Sequence, residues 1–258
     1  MRRGLFSPQA RRRVVLASSL EFSVVVPVHN EAGNVELLIE EIARALDGRA
    51  FEMVFVDDAS TDDTRAVLSE LKSRFPMLRV LGHRKNAGQS RAIRSGILAA
   101  RAPVIGTLDG DGQNDPADLP DLYRALTRAD APNDLKMVMG RRASRKDTPW
   151  KRFGSRFANN IRQRLLKDDC DDSGCGTKAL YRDAYISLPY FDHMHRYVPA
   201  LMRAEGYKVE FRDVNHRPRA SGKSNYTNFG RLNDALSDLR GVMWLIRRRR
   251  NPGGADEI

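Results

Sequence analysis

An α/β fold, a mostly parallel sheet flanked by helices, is predicted by three observations. Apolar runs alternate with amphipathic segments, the alternation repeats through Leu108, and polar residues cluster where the apolar runs stop. Phe22 to Val28 is the first run and reads as a buried strand; Glu31 to Leu46 follows with apolar residues at helical spacing. Phe51 to Val56 repeats the strand, and Asp62 to Arg74 the helix, with Ser60 to Asp63 as its polar start. Leu78 to Leu81 is a third strand, Gln89 to Ala100 a third helix and Val104 to Leu108 a fourth strand. Farther along, Met137 to Gly140 reads as a strand and Val198 to Ala204 as a helix. Open sheets of this kind bind ligands beyond the carboxyl ends of their strands.

The clusters at those ends are Pro27-Val28-His29-Asn30-Glu31, Asp57-Asp58-Ala59-Ser60-Thr61-Asp62 and Asp109-Gly110-Asp111-Gly112-Gln113. Asn30 and Asp62 suit helix N-caps. Capping does not account for the adjacent carboxylates Asp57 and Asp58, one of which can accept from the N–H of a uracil or guanine base or from ribose hydroxyls. In the third cluster Asp109 and Asp111 occupy alternate positions of an extended segment and project to one side, Gln113 with them. Hard cations such as Mg²⁺ or Mn²⁺ prefer such oxygens and keep positions open for phosphate. Gly110 and Gly112 let the chain turn and a bulky ligand approach. A calcium loop also opens Asp-x-Asp, but it needs Gly and Glu where this chain has Asn114 and Pro120. A plain Asp- and Gly-rich solvent loop is the other reading. No Gly-x-Gly-x-x-Gly and no Walker lysine loop is present, so a diphosphate is expected to be gripped through metal.

With 258 residues and 41% hydrophobic content the chain can bury one full core. Cys170 and Cys175 make a poor zinc site and no disulfide framework, which points to reduced cytosolic thiols. No apolar run reaches the roughly 18 residues of a spanning helix, and Met1 to Arg13 lacks a signal-peptide core. The net charge of +11 gathers at the two ends, in Arg2, Arg3 and Arg11 to Arg13 and in Arg247 to Arg250. Such arms suit anionic lipid or nucleic acid. Leu232, Ala235, Leu236, Leu239, Val242, Met243 and Ile246 form an apolar stripe before the last arginines. It fits a helix in a membrane interface, anchored by Trp244, and equally a helix packed on the domain. The expected organisation is a basic arm over 1–19, a main globular domain over 20–226 and an amphipathic helix with a basic tail over 227–258. The expected location is cytoplasmic, peripheral at the inner face of the membrane.

Four ordered motifs resemble the family 2 inverting glycosyltransferases. They are Val24 to Glu31, Val56 to Thr64, Asn86-Ala87-Gly88 and Asp109 to Gln113. Over about residues 20 to 226 the chain is most similar to the dolichyl- or polyprenyl-phosphate mannosyl- and glucosyltransferases. The resemblance implies a GT-A fold, a Rossmann-like arrangement, with a UDP- or GDP-sugar donor and Mg²⁺ or Mn²⁺. It places Pro27, His29, Glu31, Val56 and Asp58 around the nucleoside, with Asp109, Gly110 and Asp111 also at the donor. Asp109, Asp111 and Gln113 would surround the metal. Relatives carry Tyr where this chain has His29. Asp172 to Gly176 matches an acidic Ser-Gly segment near the acceptor. Arg217 to Tyr226 matches a segment whose arginine, here Arg219, binds phosphate. That segment departs at Asn225, where the family has Lys; Lys223 or Arg217 could supply the charge. Arg141, Arg152 and Ser155 fall where relatives hold the acceptor phosphate.

A lipid phosphate acceptor is already anionic and needs no strong base, whereas a saccharide hydroxyl needs one, for which Asp172 is the candidate and Asp171 the second. The cationic downstream third favours the phosphate. Two further readings are a family 2 transferase acting on a hydroxyl acceptor in envelope polysaccharide synthesis, and a basic nucleic-acid-binding module. The second does not explain the acidic strand ends, so nucleic acid is not an expected partner. His193, His195 and Arg196 are read as acceptor-positioning or helix-entry residues in preference to metal ligands.

Overall fold

The computed structural model describes residues 20–142, 162–218 and 230–250. Its strands are β1 (Phe22–Val28), β2 (Phe51–Asp57), β3 (Leu78–Gly82), β4 (Val104–Thr107), β5 (Leu135–Arg142), β6 (Lys178–Tyr181) and β7 (Lys208–Val214). They form one sheet in the order β3-β2-β1-β4-β6-β5-β7. Every residue of β1 and β2 is buried, as strands covered by helices on both faces require. β1 pairs in parallel with both β2 and β4, and β2 with β3, which brings three strand exits to one edge.

The helices are α1 (Val35–Ala45), α2 (Thr64–Arg74), α3 (Gln89–Ala99), α4 (Leu119–Thr127), α5 (Arg182–Ile186), α6 (Val198–Ala204) and α7 (Gly230–Arg248). α1 buries Val35, Leu38, Ile39 and Ile42, one face at steps of three and four. It begins at Val35 and not at Glu31, because Glu31 to Asn34 first form a turn in which Asn34 Nδ2 donates to Glu31 Oε2 at 2.5 Å. Asn30 therefore caps no helix. With φ at 58° it turns back, and its Oδ1 accepts from the Thr61 N–H at 2.8 Å, joining the β1 exit to the β2 exit. Asp62 is not the N-cap, a position that Asp63 takes, but from one residue earlier its Oδ1 accepts the N–H of Thr64, the first helical residue, at 3.0 Å.

β6 was not foreseen from the sequence. It is four residues long and antiparallel to both β4 and β5, with Thr107 facing Lys178. This reversal carries residues 172–178 across the end of β4, where Asp109 lies. β7 then pairs in parallel with β5 and sets Arg141 opposite Asp213.

α7 lies on the domain through buried Val242, with Leu239, Met243 and Ile246 packed against the core, while Leu236 and Trp244 are 47% and 59% exposed. Two polar contacts hold α7: Asp238, at mid-helix, meets His193 Nδ1 at 2.9 Å, and Arg249, just past its last residue, pairs with Glu205 at 2.8 Å. The packed-helix expectation thus holds for the inner stripe, and the aromatic anchor faces outward. Among the described residues no helix is long and apolar enough to cross a membrane. The boundary expected at 226/227 lies outside the described residues.

Arg217 does not supply a spare phosphate-binding charge. Its guanidinium contacts both Glu41 oxygens at 2.8 and 2.9 Å and Asp115 at 2.6 Å, and its N–H donates to the Gln113 carbonyl at 2.9 Å. It ties the last described segment of this stretch to α1 and to the Asp109–Gln113 loop. Arg217→Ala is expected to destabilise the protein by about 1–2 kcal/mol, since several charge-assisted bonds in a half-exposed network are lost together, and a urea midpoint would read it.

Candidate active site

The acidic loop is a turn and not the extended segment that alternation assumed. β4 stops at Thr107, residues 110 and 111 turn, and Gly112 takes φ +73°, which a side chain would strain. Two local bonds shape it: Asn114 Oδ1 accepts from the Asp109 N–H at 2.8 Å, and Asp111 Oδ1 accepts from the Gln113 N–H at 3.2 Å. Gly110 sits against the Pro27 carbonyl and Val28, so the loop rests on the β1 exit. Gln113 is therefore brought close through its backbone, and period-two geometry does not aim its side chain.

Asp109 leans on Gly176, where an added Cβ would overlap its carboxylate. Gln89 Nε2, at the start of α3, donates to Asp109 Oδ1 at 2.7 Å. Burial pushes the Asp109 carboxyl up to about 6, against the pull of Lys178; the Asp111 charge adds to the rise and Arg142 opposes it. A carboxylate that carries its charge at such cost, paired with a second one, fits a hard divalent cation. Among the described residues no three or more His, Cys, Asp or Glu gather as a metal set.

The raised value has a testable sign. The folded state holds the Asp109 proton more tightly than the unfolded chain, so stability present at low pH is lost as pH rises through about 6. Without metal, Asp109→Asn is expected to melt higher than wild type at pH 8 by the equivalent of about 2–3 kcal/mol, with the gap closing toward pH 4. Added Mn²⁺ should raise the wild-type melting temperature at pH 8, hardly at pH 5, and not in Asp109→Asn. Differential scanning fluorimetry reads all of these.

Beside Asp109 opens a cavity of about 400 Å³, lined by Gln89, Arg142, the Ser173–Gly176 segment, Lys178, His195 and Arg196 among others. Asp109 is the one carboxylate in that lining among the described residues. Lys178, buried, donates from Nζ to the Cys175 carbonyl. Thr107 Oγ1 donates to the Gly176 carbonyl at 2.6 Å, locking this segment to β4.

Of the two neighbouring arginines of β5, Arg142 and not Arg141 lines the cavity. Strand period places neighbours on opposite faces, and Arg141 goes outward, 46% exposed, to Asp213 at 2.8 Å and Asp171 at 3.8 Å. Arg142 turns inward, 13% exposed, and meets Asp172 with Nε at 2.6 Å from Oδ2 while a second nitrogen reaches Oδ1. The Asp172 pair raises the Arg142 pKa further. Asp172, expected as a candidate base, is committed to this two-point ion pair and does not line the cavity. Asp171 is also engaged, accepting from Gln163 at 2.7 Å.

The nucleoside-side residues divide in two. Pro27 and Val56 are buried core residues facing each other across β1 and β2, so their side chains are not presented to a ligand. His29 and Glu31, one turn later, are half-buried at the rim. His29 Nδ1 donates to the Asp58 carbonyl at 2.9 Å, which leaves Nε2 as the acceptor. Asp58 accepts from the N–H groups of Ala87 at 2.9 Å and Gly88 at 2.7 Å and from His83 at 2.6 Å. It anchors the Asn86-Ala87-Gly88 turn first of all. Asp57 is structural, held by the Ser60 N–H at 2.9 Å and Arg65 at 2.6 Å; these bonds keep its pKa low despite burial.

Arg152, Ser155, Arg219, Lys223 and Asn225 lie outside the described residues. His193 turns to Asp238 and His195 to Ser90, so the two do not converge as metal ligands. Gln89, Arg142 and Lys178 were missed. Strand parity alone does not single out Arg142, because Val138 and Met139 lie on opposite faces and both are buried, whereas the Gly174-Cys175-Gly176-Thr177-Lys178 run flags a close approach followed by a cation. Nothing in the sequence singled out Gln89 beyond its place at a helix start.

Residues 23–188, more than half of the chain, match the family described as glycosyl transferase family 2. The chain belongs to that family. It is 34% identical to a dodecaprenyl-phosphate galacturonate synthase of Rhizobium johnstonii over 91% of this chain and 70% of that protein. An undecaprenyl-phosphate 4-deoxy-4-formamido-L-arabinose transferase of Pseudomonas aeruginosa is 36% identical over 82% of this chain, which spans only 62% of that protein. Among solved structures, glucosyl-3-phosphoglycerate synthase of Mycobacterium tuberculosis, crystallised with Mn²⁺ and UDP, superposes with a TM-score of 0.66. That alignment covers 91% of this chain and 82% of the other at 17% identity, a likeness of fold that bears out the GT-A expectation. The family 2 domain makes this chain a glycosyltransferase by fold and by sequence.

Proposed function

We propose that this glycosyltransferase moves a sugar, with inversion, from a nucleoside-diphosphate sugar to a polyprenyl phosphate, using Mg²⁺ or Mn²⁺ at Asp109 and Asp111. One observation carries the acceptor assignment. The cavity beside Asp109 presents Arg142, Lys178 and Arg196, while Asp172 is tied to Arg142. A hydroxyl acceptor needs a base in reach; a phosphate arrives as an anion and needs cations to position it. The relatives named for polyprenyl phosphates support the same class of acceptor.

Asp109 and Asp111 would hold the ion, which when bound supplies Lewis-acid neutralisation of the departing diphosphate. Gln89 holds one oxygen of the Asp109 carboxylate in place. Gly176 gives that carboxylate room, and the Gly110 turn lets phosphate approach the loop. His29, Glu31 and the Asp58 turn form the rim where the nucleoside would rest. Arg142, Lys178 and Arg196 would hold the acceptor phosphate for attack on the face opposite the leaving group. Exposed Trp244 and Leu236 beside Arg240, Arg247 and Arg248 suit contact with an anionic bilayer, where such an acceptor resides, and support a peripheral membrane location.

The test incubates purified protein and Mn²⁺ with a panel of UDP- and GDP-sugars, with and without undecaprenyl phosphate, and weighs the products. A glycosyl undecaprenyl phosphate is expected. Transfer only to saccharide hydroxyls would overturn the acceptor assignment.

A further inference from the structure

Ala87, Gly88, Gln89 and Ser90, at the start of α3, between them hold three parts of the site. The first two bind Asp58, Gln89 binds Asp109, and Ser90 binds His195. The last link is unexplained by any role assigned so far. Ser90 is fully buried, and its Oγ accepts the His195 backbone N–H at 3.1 Å while lying 2.7 Å from His195 Nδ1. Having accepted one hydrogen, the hydroxyl has its own to donate, and among the described residues Nδ1 is the acceptor that receives it. Nδ1 is then the unprotonated nitrogen, and the ring proton sits on Nε2. Nε2 has no partner among the described residues, and His195 lines the 400 Å³ cavity.

We propose that His195 is a substrate-contacting residue whose Nε2–H, set by Ser90, donates a hydrogen bond to a neutral oxygen of the sugar being transferred. A neutral oxygen is the matching chemistry because anions are already served by Arg142, Lys178 and Arg196. Among those cations a further positive charge is disfavoured: burial first, then Lys178, Arg196 and His193, hold the His195 pKa down to about 3. The imidazole therefore neither shuttles protons nor balances charge at neutral pH. What it offers is a fixed direction, the means by which a site tells a hydroxyl from its absence. The inference rests on the transferase reading and names one contact within it.

Two measurements test it. In protein labelled with ¹⁵N-histidine, long-range ¹H–¹⁵N spectra of the five imidazoles, with His195 assigned by its loss in His195→Gln, should show the Nε2–H tautomer unchanged from pH 5 to 8. An Nδ1–H tautomer, or titration within that range, would overturn the proposal without reference to activity. In kinetics with the best UDP- or GDP-sugar from the panel, His195→Phe should lower kcat/KM for the donor by about ten- to a hundredfold. His195→Gln, which restores an N–H near the same place, should recover most of it. The affinity for the free nucleoside diphosphate with Mn²⁺ should be the same in all three proteins. Equal kinetics in wild type and His195→Phe, or equal losses in Phe and Gln variants with weakened nucleotide binding, would refute the contact. Absence of transfer by wild type with every donor would instead remove the transferase reading beneath it.

Discussion

Arg142→Ala is expected to abolish detectable transfer and to lower stability by about 3–5 kcal/mol, while Arg141→Ala leaves activity intact and costs under about 1 kcal/mol. The two residues are neighbours in sequence and opposites in the fold. Removing Arg142 takes a two-point charged partner from Asp172, whose side chain is 8% exposed, and also takes a cation from the cavity wall. Removing Arg141 breaks a pair with Asp213 whose partners are 46% and 59% exposed, where water replaces the interaction. The double variant Arg142→Met/Asp172→Leu separates the two effects. It is expected to regain much of the stability, because an apolar pair replaces a buried ion pair, and none of the activity. Urea denaturation and product mass read both quantities. Recovery of transfer by the double variant would show that Arg142 serves only to neutralise Asp172.

Asp111→Asn is expected to reduce metal-dependent transfer by at least about a thousandfold while the protein still melts cooperatively. Asn keeps the size and one oxygen of Asp111 and deletes the charge, so the loop geometry survives and the attraction for a divalent ion does not. The Gln113 N–H can still donate to the amide oxygen. A variant with normal turnover at saturating donor would mean that the ion is not held through this residue.

The parallel half of the fold was legible because strands buried on both faces leave an apolar signature that needs no partner to interpret, as β1 and β2 do. The acidic clusters were legible because polar residues after such strands fall at one edge of the sheet. β6 was not, since four residues paired antiparallel carry no local signal and depend on the strands they join. The pocket-facing arginine was missed for a related reason: a one-residue slip in strand register exchanges inward and outward side chains, and Arg141-Arg142 offers both at once. Val56 and Pro27 lie inside the core, because β1 and β2 are buried on both faces up to their last residues. Asp172 looked like a free base in sequence; its commitment to Arg142 is a long-range contact that spacing cannot reveal.

The account stands on Asp109 and Asp111 holding a divalent ion together with the diphosphate of the donor. Titration of Mn²⁺ followed by electron paramagnetic resonance, with and without UDP, measures this directly. Wild type is expected to take up one equivalent of Mn²⁺, more tightly when UDP is present and more tightly at pH 8 than at pH 5, with Asp109→Asn and Asp111→Asn showing little uptake under any of these conditions. Uptake by both variants equal to that of wild type, with the same response to UDP, would contradict it.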